Sequence, residues 1–259
     1  MYWFSGINSH DKNKYKDYIT LYTVAVLSAK KTNPNLKPYL LLDGEIDDKI
    51  EKLIDFGVKI IQTKSSFYNE LKNHYKDNTI AYGAFLRVDI PKICEDLNID
   101  DDYVLYTDND VLFLDDVSEL NNLKPNYFLA AGEFVKQFNP SLINTGVMWI
   151  NWKTMKKVYD DFVLFIILNL SKFKTYDQDA IRVFFKDKVE ELNYNYNYKP
   201  YWENKTGIKI LHFHGPKPTF TDNDYKTFPY PTLVTPFYHE MVKKFNQIYK
   251  NDNNYLFNT

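Results

Sequence analysis

Short apolar runs and longer amphipathic segments alternate through the first half of the chain. The apolar runs predict strands at residues 1–5, 39–42, 58–61 and 103–107. Apolar residues at helical spacing predict helices at residues 15–31, 46–56 and 81–97, the last broken or kinked at Pro91. Alternation of this kind predicts an α/β fold, with a mostly parallel central sheet flanked by helices on both faces.

The second half of the chain is less regular. Strands are predicted at residues 128–131, 147–150 and 208–214, and helices at 153–170, 178–185 and 236–249. Residues 215–236 are rich in Pro and Thr and are predicted to form a loop. The last helix carries an apolar stripe of Phe237, Met241, Phe245 and Ile248. We therefore expect residues 219–259 to form a loop and an amphipathic helix that packs on the preceding domain.

Composition and charge exclude several classes of protein. The 259 residues carry 32 Lys and Arg against 34 Asp and Glu, so a broad nucleic-acid-binding surface is not expected. Cys94 is the single cysteine, which rules out an intrachain disulfide. The N-terminus lacks a signal-peptide pattern, and the longest apolar run, residues 162–168, is too short to span a bilayer. We therefore expect a cytoplasmic protein without a transmembrane segment.

An acidic pair follows the fourth predicted strand directly. Asp108 and Asp110 stand two positions apart, so on an extended backbone their side chains point to the same side. In α/β sheets ligands bind beyond the carboxyl ends of the strands. Two adjacent carboxylates repel one another unless a cation lies between them, and their oxygen atoms suit Mg²⁺ or Mn²⁺. A divalent ion there could hold a diphosphate.

Two other interpretations of the acidic pair remain open at this point. Asp108-Asn109-Asp110 could be a solvated turn after a strand. A HAD-type phosphatase also places two such aspartates after an apolar strand, but its motif normally lies near the N-terminus and has Thr or Val where this chain has Leu112.

The predicted strand at residues 208–214 ends in a second polar cluster. His212 and His214 share one face of an extended strand, and either imidazole could complete a Mn²⁺ site with the two carboxylates. Gly215 permits close approach of a ligand to the backbone, and Lys217 offers a positive charge to phosphate. These residues could also be ordinary polar groups at a strand end.

Two further segments carry polar groups suited to binding sugars. Asn144 and Thr145 enter an apolar strand, whereas Asp177 and Gln178 open a helix. Asp177 could simply cap that helix. Carboxamides and carboxylates are also the groups that bind sugar hydroxyls.

Taken in order, these segments resemble glycosyltransferase family 8, which includes glycogenin and bacterial lipopolysaccharide galactosyltransferases. The matching pieces are FLRVDIPKI around Arg87, VLYTDNDVLF, NTGVMWIN, YDQDAI and ILHFHGPKP, and they span roughly residues 80–218. The resemblance implies a GT-A fold over residues 1–218 and retaining transfer from a UDP-sugar with Mn²⁺ or Mg²⁺.

The resemblance also implies roles for individual residues. The implied metal ligands are Asp108, Asp110 and His212, with His214 as the alternative imidazole. The implied donor-binding residues are Tyr18, Arg87, Asp108, Asn109, Asn144, Thr145, Asp177, Gln178, Gly215 and Lys217. Tyr18 resembles the aromatic residue that stacks on uracil, and Gly215 and Lys217 resemble the residues that hold the diphosphate. Asp177 and Gln178 are the implied catalytic residues, since Gln178 matches the position under the anomeric carbon.

The expected reaction is therefore transfer of a hexose, glucose or galactose, from a UDP-sugar to a hydroxyl group of a glycan or of a sugar linked to protein or lipid. Two alternatives remain. The protein could glycosylate itself as glycogenin does, at Tyr194, Tyr196 or Tyr198. It could also be a non-catalytic module that binds nucleotide sugars.

Overall fold

Seven strands form one twisted central sheet in the computed structural model, which describes residues 1–76, 78–202 and 206–256. The nine strands of the described residues are β1 (Tyr2–Asn8), β2 (Lys37–Asp43), β3 (Lys59–Gln62), β4 (Tyr103–Thr107), β5 (Val111–Phe113), β6 (Phe128–Gly132), β7 (Ile143–Asn151), β8 (Val189–Glu191) and β9 (Ile210–His212). The central sheet has the order β3-β2-β1-β4-β7-β6-β8. Strand β7 runs antiparallel to both of its neighbours, and the other pairs are parallel. The predicted mostly parallel sheet is confirmed.

Helices cover both faces of this sheet. The helices are α1 (Lys12–Thr32), α2 (Asp48–Asp55), α3 (Tyr68–Tyr75), α4 (Thr79–Phe85), α5 (Ile90–Asp96), α6 (Trp152–Lys157), α7 (Tyr159–Asn169), α8 (Asp177–Phe184), α9 (Asp222–Thr227) and α10 (Pro236–Leu256). Neighbouring strand residues point to opposite faces. Leu41 and Tyr106 thus join one apolar cluster, whereas Leu40 and Leu105 join another. The first cluster is closed by α3, α4, α5, α7 and α8, and the second by α1 and α2.

A small second sheet lies beside the main one and positions the histidine segment. Strand β5 pairs antiparallel with β9, and Val111 lies opposite His212. Helix α10 packs nearby, because Phe237, Met241 and Phe245 are buried in one cluster with residues of α1 such as Leu21. The apolar stripe of this helix therefore faces the body of the protein.

Three predicted elements differ from those in the structure. The helix predicted at residues 81–97 is divided into α4, a 3-10 turn at Leu86–Asp89 and α5, and Pro91 lies in the first turn of α5 rather than inside a helix. Proline is tolerated there because the first helical N–H groups have no partner within the helix. The helix predicted at residues 153–170 ends at Lys157 and restarts at Tyr159. The strand predicted at residues 208–214 is shorter and belongs to the small sheet.

The segment predicted as a loop at residues 215–236 also contains helix α9. Thr221 begins this helix with a capping box, in which its hydroxyl bonds the Asp224 N–H and the Asp224 carboxylate bonds the Thr221 N–H. In the described part of the chain, every helix is either too short or too polar to cross a bilayer.

Candidate active site

A cleft of about 360 Å³ opens where several strands end on the same edge of the sheet. It is formed by the end of β1, the residues after β4, the start of β7, the start of α8 and the end of β9. Most of the residues singled out in the sequence line it: Tyr18, Arg87, Asp108, Asn109, Asp110, Asn144, Thr145, Asp177, Gln178, His212 and Lys217. Gly215 does not line it. Gly215 has a φ of +106°, and a side chain there would point towards Leu233.

Asp108, Asp110 and His212 come together into a candidate metal site. One ligand atom from each lies within 4.8 Å of the others. His212 Nε2 lies 3.4 Å from Asp110 Oδ1 and 3.8 Å from Asp108 Oδ2. The pairing of Val111 with His212 produces this proximity, because it places the imidazole beside a carboxylate about 100 positions earlier in the chain. Two carboxylates and one imidazole fit Mn²⁺ or Mg²⁺ in ligand chemistry.

Gly146 has no side chain, and the candidate metal cluster occupies the space where a side chain would lie. A Cβ atom at this position would lie 2.2 Å from His212 Cε1 and 2.8 Å from Asp108 Oδ2. Contacts this short do not occur between real side chains, so any other residue would displace the imidazole or the carboxylate. The glycine of the segment NTGVMWIN is therefore explained by the geometry of the candidate metal site.

His214 lies outside the metal cluster, although its ring centroid is 5.7 Å from that of His212. Its Nδ1 forms a 2.9 Å hydrogen bond with the Tyr201 hydroxyl, and its Nε2 faces Glu133 at 3.7 Å. Burial lowers the pKa of His214 to about 4, so the ring is neutral at neutral pH. Of the two imidazoles considered in the sequence, the geometry favours His212 as the ligand.

Lys217 contacts the same carboxylate that faces His212. Its ammonium group forms an ion pair with Asp110 and donates a 3.0 Å hydrogen bond to the Phe213 carbonyl. Burial opposes ionisation of Asp110, but the Lys217 charge and the His212 ring outweigh it and hold the pKa of the carboxyl well below its usual range. Asp110 is therefore an anion that a cation already stabilises in this structure.

Arg87 connects the acidic pair to the start of helix α8. Its guanidinium lies 2.8 Å from an Asp108 oxygen and 3.0 Å from an Asp177 oxygen, and it donates a 2.7 Å hydrogen bond to the Thr145 carbonyl. It also stacks on the Tyr106 ring at 4.3 Å. Burial opposes the charge, but Asp108 and Asp177 raise the pKa of Arg87 above its usual value.

Asp177 has an unusual protonation equilibrium for a carboxylate. Burial raises its pKa to about 7, because the single Arg87 charge is shared with Asp108 and does not offset the loss of water. The residue before it, Tyr176, has a φ of +55°, a conformation that turns the chain into α8. A carboxyl group with this pKa changes its charge near neutral pH.

We predict that the free energy of unfolding falls as the pH rises through about 7, owing to Asp177. The unfolded carboxyl loses its proton near pH 4 and the folded one near pH 7, so the folded state holds an extra proton in this window. This contribution is complete below about pH 4 and is lost as the pH rises through the folded pKa. Asp177→Asn should flatten the pH dependence of the free energy of unfolding, measured by urea denaturation from about pH 4 to pH 8. The exposed control Asp187→Asn should leave the profile unchanged, and a parallel decline in both variants would contradict the assignment.

Gln178 is held at both ends of its carboxamide. Its oxygen accepts hydrogen bonds from the Thr145 N–H at 3.0 Å and from Asn144 Nδ2 at 3.1 Å, and its nitrogen donates to Glu133 at 2.9 Å. Arg182 binds the second Glu133 oxygen at 2.7 Å. Burial opposes ionisation of Glu133, but the nearby His214 ring and hydrogen bonds from Arg182 and Gln178 lower its pKa to about 2.

Three residues of this site were not predicted from the sequence: Glu133, Asn197 and Lys199. Glu133 follows β6 directly, so the rule that identified Asp108 at the end of β4 also applies to it. Asn197 and Lys199 are fully buried behind the cleft, but they belong to the repetitive tract NYNYNYKPY. Compositional bias concealed them, and no motif signals their role.

Comparison with known proteins agrees with this geometry. The sequence profile of glycosyltransferase family 8 matches residues 13–218, and the chain belongs to this family. No curated protein sequence matches it significantly. The family assignment removes the phosphatase alternative.

Solved structures share the fold at low sequence identity. The galactosyltransferase LgtC, solved in complex with donor and acceptor sugar analogs, aligns with a TM-score of 0.71 and 17% identity over 97% of this chain and 96% of that one. The glycosyltransferase GlyE of Streptococcus pneumoniae TIGR4 aligns with a TM-score of 0.63 and 19% identity over 97% of this chain and 64% of that one. Mouse xyloside xylosyltransferase 1 aligns with a TM-score of 0.54 and 13% identity over 82% of this chain and 96% of that one. The protein has the GT-A fold expected from its sequence.

Proposed function

We propose that the protein is a metal-dependent, retaining glycosyltransferase that moves a hexose, glucose or galactose, from a UDP-sugar to the hydroxyl group of a sugar acceptor. The observation that carries this proposal is the cluster of Asp108, Asp110 and His212 beside Lys217 in the cleft. The similar fold of LgtC, which has been solved with donor and acceptor sugar analogs, supports it. The acceptor would be a glycan or a sugar linked to protein or lipid.

The positive charges of the cleft suit a leaving diphosphate. A Mn²⁺ or Mg²⁺ ion held by Asp108, Asp110 and His212 would neutralise charge that develops on the departing UDP. Lys217 is placed to add a point charge from the protein by exchanging its Asp110 carboxylate partner for a phosphate oxygen. Tyr18 also lines the cleft, and its ring would stack on the uracil.

The donor sugar would lie against the start of β7 and α8. Asn144 and Gln178 present carboxamides there, while Arg87 fixes Asp177 and the Thr145 carbonyl. Because these groups are held by one another before any ligand arrives, they would orient the sugar at little further entropic cost.

Gln178 is unsuited to act as a covalent nucleophile. Its amide oxygen is intrinsically weak and already accepts two hydrogen bonds. We therefore favour front-side displacement, in which the bond from the anomeric carbon to the diphosphate oxygen breaks as the acceptor oxygen bonds on the same face. The acceptor proton passes to the departing phosphate oxygen, so that atoms and charge balance. Because the new bond forms on the face that the diphosphate leaves, the configuration is retained.

A panel of UDP-sugars incubated with the protein and Mn²⁺ tests the proposal through release of UDP. We expect release from one hexose donor, loss of release when EDTA removes the metal, and recovery when Mn²⁺ is restored. UDP binding by calorimetry without release from any donor would favour the non-catalytic alternative and contradict the proposal.

Self-glycosylation finds little support in the tyrosine tract. The Tyr196 hydroxyl donates to Glu119 at 3.0 Å and the Tyr198 hydroxyl to the Trp202 carbonyl at 3.2 Å, and both side chains are buried. Intact-mass spectrometry after incubation with the accepted UDP-sugar would detect any added hexose on these residues or on the half-buried Tyr194.

A further inference from the structure

Hydrogen bonds between buried side chains join the candidate metal site to the candidate sugar site through Asn197. His212 Nδ1 lies 3.0 Å from Asn197 Oδ1, and Asn197 Nδ2 donates to Asn144 Oδ1 at 2.9 Å. Asn144 Nδ2 in turn donates to Gln178 at 3.1 Å. Asn197 itself is fully buried. One carboxamide therefore contacts both a proposed metal ligand and a proposed sugar-binding residue.

The orientation of this carboxamide follows from a backbone group that can only donate. The Gly146 N–H lies 3.2 Å from one end of the Asn144 amide, which must therefore be its oxygen. Asn197 must turn its NH₂ group to that oxygen, and this leaves Asn197 Oδ1 to face His212. An amide oxygen only accepts, so His212 Nδ1 must carry the hydrogen of this bond.

This proton position determines what His212 presents to the cleft. With the proton on Nδ1, the lone pair is on Nε2, the nitrogen that faces Asp108 and Asp110. Metal-binding histidines generally use one nitrogen for the ion and donate the other N–H to a fixed oxygen, which sets the tautomer and the ring orientation.

Lys199 holds the backbone of Asn197 in place. Its buried amino group donates to the Asn197 carbonyl at 2.9 Å, as well as to Asn144 Oδ1, and lies 3.4 Å from the Gly132 carbonyl. Its contacts therefore connect the backbone of the NYNYNYKPY tract to the end of β6 and the start of β7. The tract sets the position of Asn197 relative to both sites.

We propose that Asn197 is a positioning residue that selects the His212 tautomer with Nε2 free for a divalent ion and, through the same carboxamide, fixes the Asn144 amide. This inference rests on the proposed metal site. It predicts that removing the amide weakens metal binding although no ligand is lost, and that retaining only its acceptor oxygen preserves metal binding.

Two variants separate these roles, with a third as the control. Asn197→Ala removes both hydrogen bonds, whereas Asn197→Asp keeps the acceptor for His212 and loses the donor to Asn144. Asn33→Ala is the matched control, because Asn33 is also buried and bridges the Asp115 carbonyl and the Val117 N–H far from the cleft. Thermal melts compare the stability of all three.

The first readout is the His212 tautomer in the metal-free protein, from long-range ¹H–¹⁵N correlations assigned with His212→Asn. The second is Mn²⁺ affinity, from the electron paramagnetic resonance signal of the free ion. We expect the Nδ1–H tautomer in the wild type and in Asn197→Asp. In Asn197→Ala we expect a mixture of tautomers and Mn²⁺ affinity about 10- to 100-fold weaker. Asn197→Asp should retain Mn²⁺ affinity, and Asn33→Ala should change neither readout.

Two results would overturn the inference: an Nε2–H tautomer in the wild type, or equal weakening of Mn²⁺ binding in Asn197→Ala and Asn197→Asp. The second result would show that Asn197 acts only through the structure of the tract. Failure of the wild type to bind Mn²⁺ would instead contradict the proposed metal site, and the tautomer of the metal-free protein would still decide whether Asn197 positions the ring.

Discussion

Asp110→Asn should lower Mn²⁺-dependent kcat/KM on the order of 10³-fold. The change keeps the size of the side chain and removes the charge that faces both His212 Nε2 and Lys217. An amide oxygen is a poorer ligand for a hard cation, and its NH₂ group would face the Lys217 ammonium without attraction. Steady-state release of UDP at saturating Mn²⁺ measures the loss, and electron paramagnetic resonance measures whether the ion still binds.

Asp115→Asn is the matched control for this experiment. Asp115 also pairs with a lysine, Lys209, at 2.9 Å, but it is exposed and lies outside the cleft. Its removal should leave turnover unchanged. If Asp110→Asn retained wild-type turnover and Mn²⁺ affinity, the assignment of the metal site would be wrong.

Above about pH 8, where Asp177 is ionised in the folded chain, Arg87→Met should destabilise the fold by about 3–5 kcal/mol, because it leaves this carboxylate buried without its cation. The same change removes the hydrogen bond to the Thr145 carbonyl and the stacking on Tyr106. Arg87→Lys should recover only part of the loss, since an ammonium group cannot reproduce the planar set of donors. Urea denaturation at about pH 8 to 9 provides the measurement.

The loss in Arg87→Met should shrink as the pH falls below about 7, because Asp177 is then protonated in the folded chain with or without Arg87. Lys209→Met serves as the control, because the surface pair with Asp115 should contribute less than about 1 kcal/mol. An equal loss in the two variants would show that Arg87 does not stabilise buried charge.

The hydrophobic pattern predicted the sheet because its central strands are buried on both faces. Tyr103–Thr107 and Phe128–Gly132 are nearly continuous apolar runs, which distinguishes them from the amphipathic helices around them. The hydrophobic pattern does not indicate the direction in which a strand runs. That β7 runs antiparallel to β4 depends on the connections between the strands and could not be inferred from residues 143–151.

The break between α6 and α7 was not predicted, for a related reason. Residues 152–170 contain neither Gly nor Pro, so nothing local indicates that α6 ends at Lys157. Tyr159, at the start of α7, hydrogen-bonds Asp89 and Ser66, residues much earlier in the chain. Tertiary contacts of this kind set the end of a helix without changing its apolar periodicity.

The sequence revealed those parts of the candidate site that stand in contiguous motifs. Asp108 and Asp110 follow an apolar strand, and His212 belongs to a recognisable segment, so their chemistry was visible before the fold was known. Asn197 could not be recognised in this way, because its role depends on contacts with Asn144 and His212 that only folding creates.

The antiparallel course of β7 has a consequence for how this protein could diversify. Asn144 and Thr145 stand at the start of this strand, where Asn144 pairs with Ala131 beside a register shift, and from Met148 to Ile150 the strand is paired with β4 and β6 on both sides. Insertions and deletions, by which loops usually change, would shift the register of the paired residues that follow. If these residues bind the donor sugar, evolution or design towards a different donor would therefore proceed by single replacement of their side chains.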